Sequence, residues 1–142
     1  MKTKSTMKKI TFLITLLFIS YFSFAQKYKA VRVSIYFGGG SYYIDAEQKQ
    51  DIVKAIESIK DLTKYQVSIT SHTDNIGGKE YNEWLSKMRS EAVLKQLLEN
   101  EIKKEKVLIK DFGQDNPLHN NDSHSGRIRN RRVDLLFSPL NM

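Results

Sequence analysis

Ser71, His72 and Asp74 bring a hydroxyl, an imidazole and a carboxylate into four consecutive positions of this 142-residue chain, the group types of a hydrolytic triad. Their spacing argues against that chemistry, because neighbouring side chains at a strand end face opposite ways and a triad needs converging groups. His119, Asp122 and His124 could be drawn as a metal site, but they fall in a polar stretch with nothing in view to orient them, so a solvated loop and no metal is expected. Gly38-Gly39-Gly40 is not followed by Gly-Lys-Ser/Thr and does not fit G-x-G-x-x-G, which leaves a flexible turn. Asp74 and Arg89 can form an ion pair, and spacing alone reads it as an internal salt bridge pinning a loop to the next helix. Glycan hydrolysis needs two placed carboxylates, and the 16 acidic residues single out no such pair. No enzyme activity and no cofactor is expected.

The elements that must position these groups begin after residue 25. Lys2, Lys4, Lys8 and Lys9 precede an apolar run from Ile10 to Phe24, and Ser23 and Ala25 place small residues at the third and first positions before a cut. This is the pattern of a secretory signal peptide over residues 1–25, leaving a mature domain over 26–142. The run is shorter than the roughly 20 residues of a spanning helix. Loss of the four leader lysines takes the net charge from +7 to +3, so bulk charge no longer points to nucleic acid. The chain has no cysteine, which excludes disulfides, thiolate zinc sites and a lipid-acceptor cysteine; no lipid anchor is expected. With 40% hydrophobic residues, one core and one domain fit.

Alternation of Val31, Val33, Ile35 and Phe37 with polar neighbours predicts a strand within 27–37. Asp45 with Gln48 makes a capping-box start for a helix to about Lys60, carrying Ile52, Val53, Ile56 and Ile59. Val67 and Ile69 mark a strand over 65–71, broken by the loop Thr73 to Gly78. Leu85, Met88, Ala92, Val93 and Leu97 fall at helical spacing over 79–101. Val107 to Phe112 predicts a third strand, Gly113 to Gly126 a long polar loop, and Arg132 to Phe137 a last strand. The order is β-α-β-α-β-β, with the final strand antiparallel to its neighbour. The expected architecture is an α/β or α+β two-layer sandwich with helices on one face of a mixed sheet.

Ser71-His72-Thr73-Asp74-Asn75-Ile76-Gly77, then Tyr81-Asn82 and Leu85-Ser86-Lys87-Met88-Arg89, are similar to the OmpA-like C-terminal domain, the peptidoglycan-binding module of outer-membrane proteins, Pal lipoproteins and flagellar-motor stators. Phe112-Gly113-Gln114-Asp115-Asn116-Pro117 resembles that family's glycine-to-proline loop, and Gly126 to Val133 its closing G-R-x-x-N-R-R-V. The resemblance spans about Val31 to Phe137 and implies the same β-α-β-α-β-β fold.

It also implies a function: non-covalent binding of the diaminopimelate-bearing stem peptide of peptidoglycan, tethering the protein to the cell wall in the periplasm or at the outer membrane. Asp74 takes the place of the family's ligand-binding aspartate and Arg89 that of its arginine, with Thr73, Asn82 and Arg131 as further contacts. A guanidinium suits a ligand carboxylate because its planar fork makes two parallel charge-assisted bonds. Asn82 can equally organise the loop, and Leu85 reads as a core contact. Arg131 and Arg132 have opposite strand parity and cannot both face one ligand. Arg127 and Arg132 can instead bond loop carbonyls. The Gly38-Gly39-Gly40 loop departs from the family's pattern and alters one wall of the cleft. A second reading keeps the fold as an envelope scaffold whose surface engages outer-membrane or other envelope proteins without binding peptidoglycan.

Overall fold

The structure, a computed structural model, describes residues 28–140; the expected leader lies outside them. Four strands and three helices follow one another as β1 (Val31–Tyr36), α1 (Ala46–Glu57), β2 (Tyr65–Ser71), α2 (Lys79–Glu99), β3 (Val107–Asp111), α3 (His124–Asn130) and β4 (Arg132–Pro139). The sheet order is β1-β4-β2-β3. β4 runs antiparallel to both neighbours, pairing Ile35 with Val133 on one side and Ile69 with Leu135 on the other, while β2 and β3 are parallel. The fold is the expected mixed-sheet α+β sandwich, with the last strand in the middle.

Alternation explains the layers. Ile35, Val67, Ile69, Val133, Leu135 and Phe137 share one sheet face and are buried against Ile52, Ala55 and Ile56 of α1 and Val93 and Leu97 of α2. Residues of the other parity form a more polar face, where Asp134 accepts from Ser34 Oγ and pairs with Arg132 at 3.0 Å. Arg132 thus turns to the face opposite the helices rather than to loop carbonyls. Arg127 does hold its loop, its Nη1 donating to the Asn121 and Asp122 carbonyls.

The capping box forms as read: Asp45 accepts from the Gln48 N–H at 2.9 Å and the Asp45 N–H donates to Gln48 Oε1 at 2.7 Å. The same Gln48 side chain donates to the Tyr36 carbonyl, tying α1 to the end of β1. Two expectations need correction. The polar stretch after Gly113 contains α3, which carries no apolar stripe because its buried residues are Gly126 and Asn130. The inward face of α2 is polar over its early turns, burying Asn82, Ser86, Arg89 and Ser90 with Leu85 before Val93 and Leu97; Met88 and Ala92 are only half-buried.

Candidate functional site

The C-terminal ends of β1, β2 and β3 lie at one end of the sheet, where the parallel and antiparallel pairings also bring the start of β4. The loops leaving these ends are therefore neighbours. The loop after β3 docks on the loop after β2: the Phe112 N–H donates to the Ser71 carbonyl at 3.0 Å and the Thr73 N–H to the Gly113 carbonyl at 2.7 Å. Gly113 has φ 54° and sits so close to α2 that a Cβ would lie 3.1 Å from Glu83 N and 3.2 Å from the Asn82 carbonyl carbon. Its own N–H donates to Ser86 Oγ.

Arg89 lies beneath these loops and is fully buried. Its Nε donates to the Ser41 carbonyl at 2.9 Å, Nη1 to the His72 carbonyl at 3.0 Å and Nη2 to the Gly38 carbonyl at 3.1 Å. Its guanidinium carbon stands 5.0 Å from the centre of the Phe37 ring. Burial pushes this guanidinium down to about 10, while Asp74 opposes that pull; it remains a cation at neutral pH. The glycine-rich loop after β1 is thus held from below by an arginine of α2.

Asp74 pairs with Arg131 rather than with Arg89. Arg131 Nη1 meets Asp74 Oδ2 at 3.1 Å, and Arg131 Nε donates to the Phe37 carbonyl at 3.1 Å. The salt bridge that spacing suggested between Asp74 and Arg89 is replaced by this one, while Arg89 donates to three carbonyls. Asp74 Oδ1 accepts from the Ile76 N–H at 3.1 Å, which leaves the carboxylate fixed in direction. The Asp74 and Arg131 side chains retain 9% and 16% exposure, whereas Arg89 retains none, so the first two form the accessible edge of the site.

Thr73 is buried and its hydroxyl donates to the Asp74 carbonyl. Asn82, fully buried, donates from Nδ2 to the Ile76 carbonyl at 3.1 Å and to Gln114 Oε1 at 2.9 Å, so it ties both loops to α2; its Oδ1 has no partner among the described residues. Sequence reasoning passed over Phe37, Ser41, Ser86 and Gln114 as parts of this assembly. A signal existed for the helix: Asn82, Ser86, Arg89 and Ser90 fall at the same spacing as Leu85, Val93 and Leu97, and polar residues inside an apolar stripe are buried with it. His119, proposed as part of a solvated loop, has its backbone bonded to the Asn130 side chain in both directions, N–H to Oδ1 at 3.0 Å and Nδ2 to the carbonyl at 2.8 Å.

His72 is buried and its ring stacks on Phe112 at 5.1 Å. Burial, helped by the nearby Arg132 charge, holds its pKa below the ordinary histidine value. The unfolded chain then binds more protons than the folded one in that interval, so stability rises with pH there. This contribution is complete above about 6.5, the ordinary value, and is lost as pH falls through the lowered folded value. In urea titrations from pH 7.5 down to 5, the wild type is expected to lose stability relative to His72→Gln. A difference between the two proteins that does not change with pH would refute the assignment.

The strand-end loops of this two-layer domain thus converge on an ionic pair with a buried cation below it. The chain belongs to the OmpA family, whose profile matches residues 36–131. Its relatives include the probable lipoprotein YiaD of Escherichia coli, 30% identical over 82 residues that make up 58% of this chain and 37% of that protein. The outer-membrane lipoprotein YfiB of Pseudomonas aeruginosa is 26% identical over 72% of this chain and 61% of its own length. The chain therefore spans less than two thirds of the length of each of these curated relatives. The crystal structure of the peptidoglycan-associated lipoprotein from Burkholderia pseudomallei superposes with a TM-score of 0.68 at 25% identity, covering 74% of this chain and 89% of that one. The relatives are envelope proteins by name, and family membership places this chain in the cell envelope.

Proposed function

We propose that the chain binds peptidoglycan non-covalently through the diaminopimelate-bearing stem peptide, performs no chemistry on it, and thereby tethers the exported domain, residues 26–142, to the wall in the periplasm. The observation that carries this reading is the accessible Asp74–Arg131 pair above the buried Arg89, on residues inside the family match. Diaminopimelate offers both amino and carboxylate groups on one short residue. Asp74 is the acceptor for the amino or amide N–H groups, and Arg131 supplies a partly exposed guanidinium for the carboxylate. Arg89 adds positive charge from below; three of its five N–H groups are bonded to carbonyls, so two are left for a ligand that lifts the Gly38–Ser41 segment. Thr73 and Asn82 hold the Asp74 loop in place.

Binding is tested by sedimentation with purified sacculi. Asp74→Asn keeps the shape of the side chain and the bond to the Ile76 N–H while removing the charge. It is expected to weaken binding tenfold or more, as loss of one charged partner in a partly buried polar contact costs about 1.5–3 kcal/mol. Equal sedimentation of wild type and variant would remove Asp74 from the site. A folded wild type that stays in the supernatant would favour the scaffold reading, and release of soluble wall fragments would point to an enzyme.

A further inference from the structure

Beside the Asp74 site lies an aromatic surface that the peptide-binding reading does not use. Tyr42, Tyr81 and Trp84 are 42%, 41% and 47% exposed, so each leaves a large part of its ring in water. They are not scattered. The Tyr42 and Trp84 ring centres stand 5.9 Å apart, edge to face at 86°, and those of Tyr81 and Trp84 stand 5.7 Å apart. Their backbones come from the elements that build the charged site. Tyr42 follows Ser41, whose carbonyl is bound by Arg89, and Tyr81 lies against Gly77 on the Asp74 loop and reaches Gly40 with its hydroxyl.

We propose that Tyr42, Tyr81 and Trp84 form a stacking platform for the sugar rings of the glycan strand whose stem peptide enters the Asp74 site. This rests on the peptidoglycan reading above and adds a second subsite to it. The chemistry favours a neutral sugar. The pyranose ring presents a face of C–H groups that packs on an aromatic face, and its hydroxyls suit the Tyr42 and Tyr81 hydroxyls, which have no hydrogen-bond partner among the described residues. Nearby, Lys79 pairs with Glu83 at 3.9 Å and with Asp115 at 3.6 Å. The platform itself is built of aromatic rings, in contrast to the charged Asp74–Arg131 pair next to it. The polymer matches this layout, because each stem peptide is joined covalently to a sugar of the strand, so a peptide held at Asp74 brings sugar rings with it.

Trp84 is the single tryptophan of the chain, so its fluorescence reports the platform directly. Titration with a disaccharide–stem peptide is expected to change Trp84 emission, and titration with the same peptide freed of sugar to change it much less. Trp84→Ala and Tyr42→Ala are expected to weaken binding of the disaccharide–peptide about tenfold more than binding of the sugar-free peptide. Equal losses for the two ligands, or none for either with wild-type binding intact, would overturn the platform while leaving the Asp74 site standing. A folded wild type that binds neither ligand nor sacculi would overturn both. Asp74→Asn, which is expected to weaken both ligands together, separates the two subsites.

Discussion

Arg89→Ala is expected to lower the free energy of unfolding by about 3–5 kcal/mol, the range for removing one partner of a buried, hydrogen-bonded charge. Three backbone carbonyls lose their donor at once, those of Gly38, Ser41 and His72, and a cavity opens beside Phe37. Part of the loss is offset, since the variant no longer buries a cation and the Gly38 and Ser41 carbonyls belong to a loop that can turn to water. The net remains large against the roughly 5–15 kcal/mol that holds a domain of this size together. In urea the midpoint is expected to fall by about 2 M. Arg89→Lys separates charge from geometry. One ammonium on a flexible stem cannot serve three divergent carbonyls, so this variant is expected to lose at least about 2 kcal/mol. If Arg89→Lys were as stable as the wild type, charge alone would explain the site. Because Arg89 variants disturb the loops themselves, a loss of ligand binding by them says little about direct contact.

Gly126→Ala is expected to destabilise the protein by about 3 kcal/mol, although intrinsic helix propensity favours alanine over glycine by about 1 kcal/mol. Packing decides the sign. A Cβ at Gly126 would lie 1.9 Å from the Asn120 carbonyl oxygen and 2.9 Å from its carbon, both backbone atoms that cannot rotate away. The Asn120–Ser123 segment and α3 would have to separate, and with them the cap in which Ser123 Oγ accepts the Gly126 N–H. The effect reaches the binding site, because Arg131 caps the C-terminal end of α3, and a shift of this helix moves the guanidinium from Asp74. Sacculus binding is expected to fall along with stability. Calorimetry and sedimentation on the same preparation check both. An alanine variant as stable as the wild type would show that α3 is not packed as described.

The parts of the fold that the sequence made legible are those where one physical rule acts alone. β2 was readable to its ends because it is buried on one face and its alternation is unbroken, and α1 because Asp45 and Gln48 close a local box. The position of β4 was not readable. Alternation tells which face of a strand is buried but not which strands flank it, and only the pairing of β4 with both β1 and β2 makes the sheet continuous. α3 escaped notice because a helix of seven residues that buries a glycine and an asparagine has no apolar period. At the site, spacing joined Asp74 to Arg89, since both lie around one strand-loop-helix unit. The actual partner of Asp74 is Arg131, 57 residues away in the chain, an approach created by the sheet. Resemblance gives Arg131 as a ligand contact and says nothing of its pairing with Asp74.

The central place of β4 governs when this domain can fold. Val31, at the start of β1, pairs with Phe137, so the first strand has no hydrogen-bonded neighbour until the last has been made. Contacts that distant in sequence carry a high loop-closure cost and form slowly. A ribosome-bound chain with β4 still in the exit tunnel can assemble only the β2–β3 pair and its helix, leaving β1 without a partner. The sheet can therefore close only once β4 has been made and has left the tunnel.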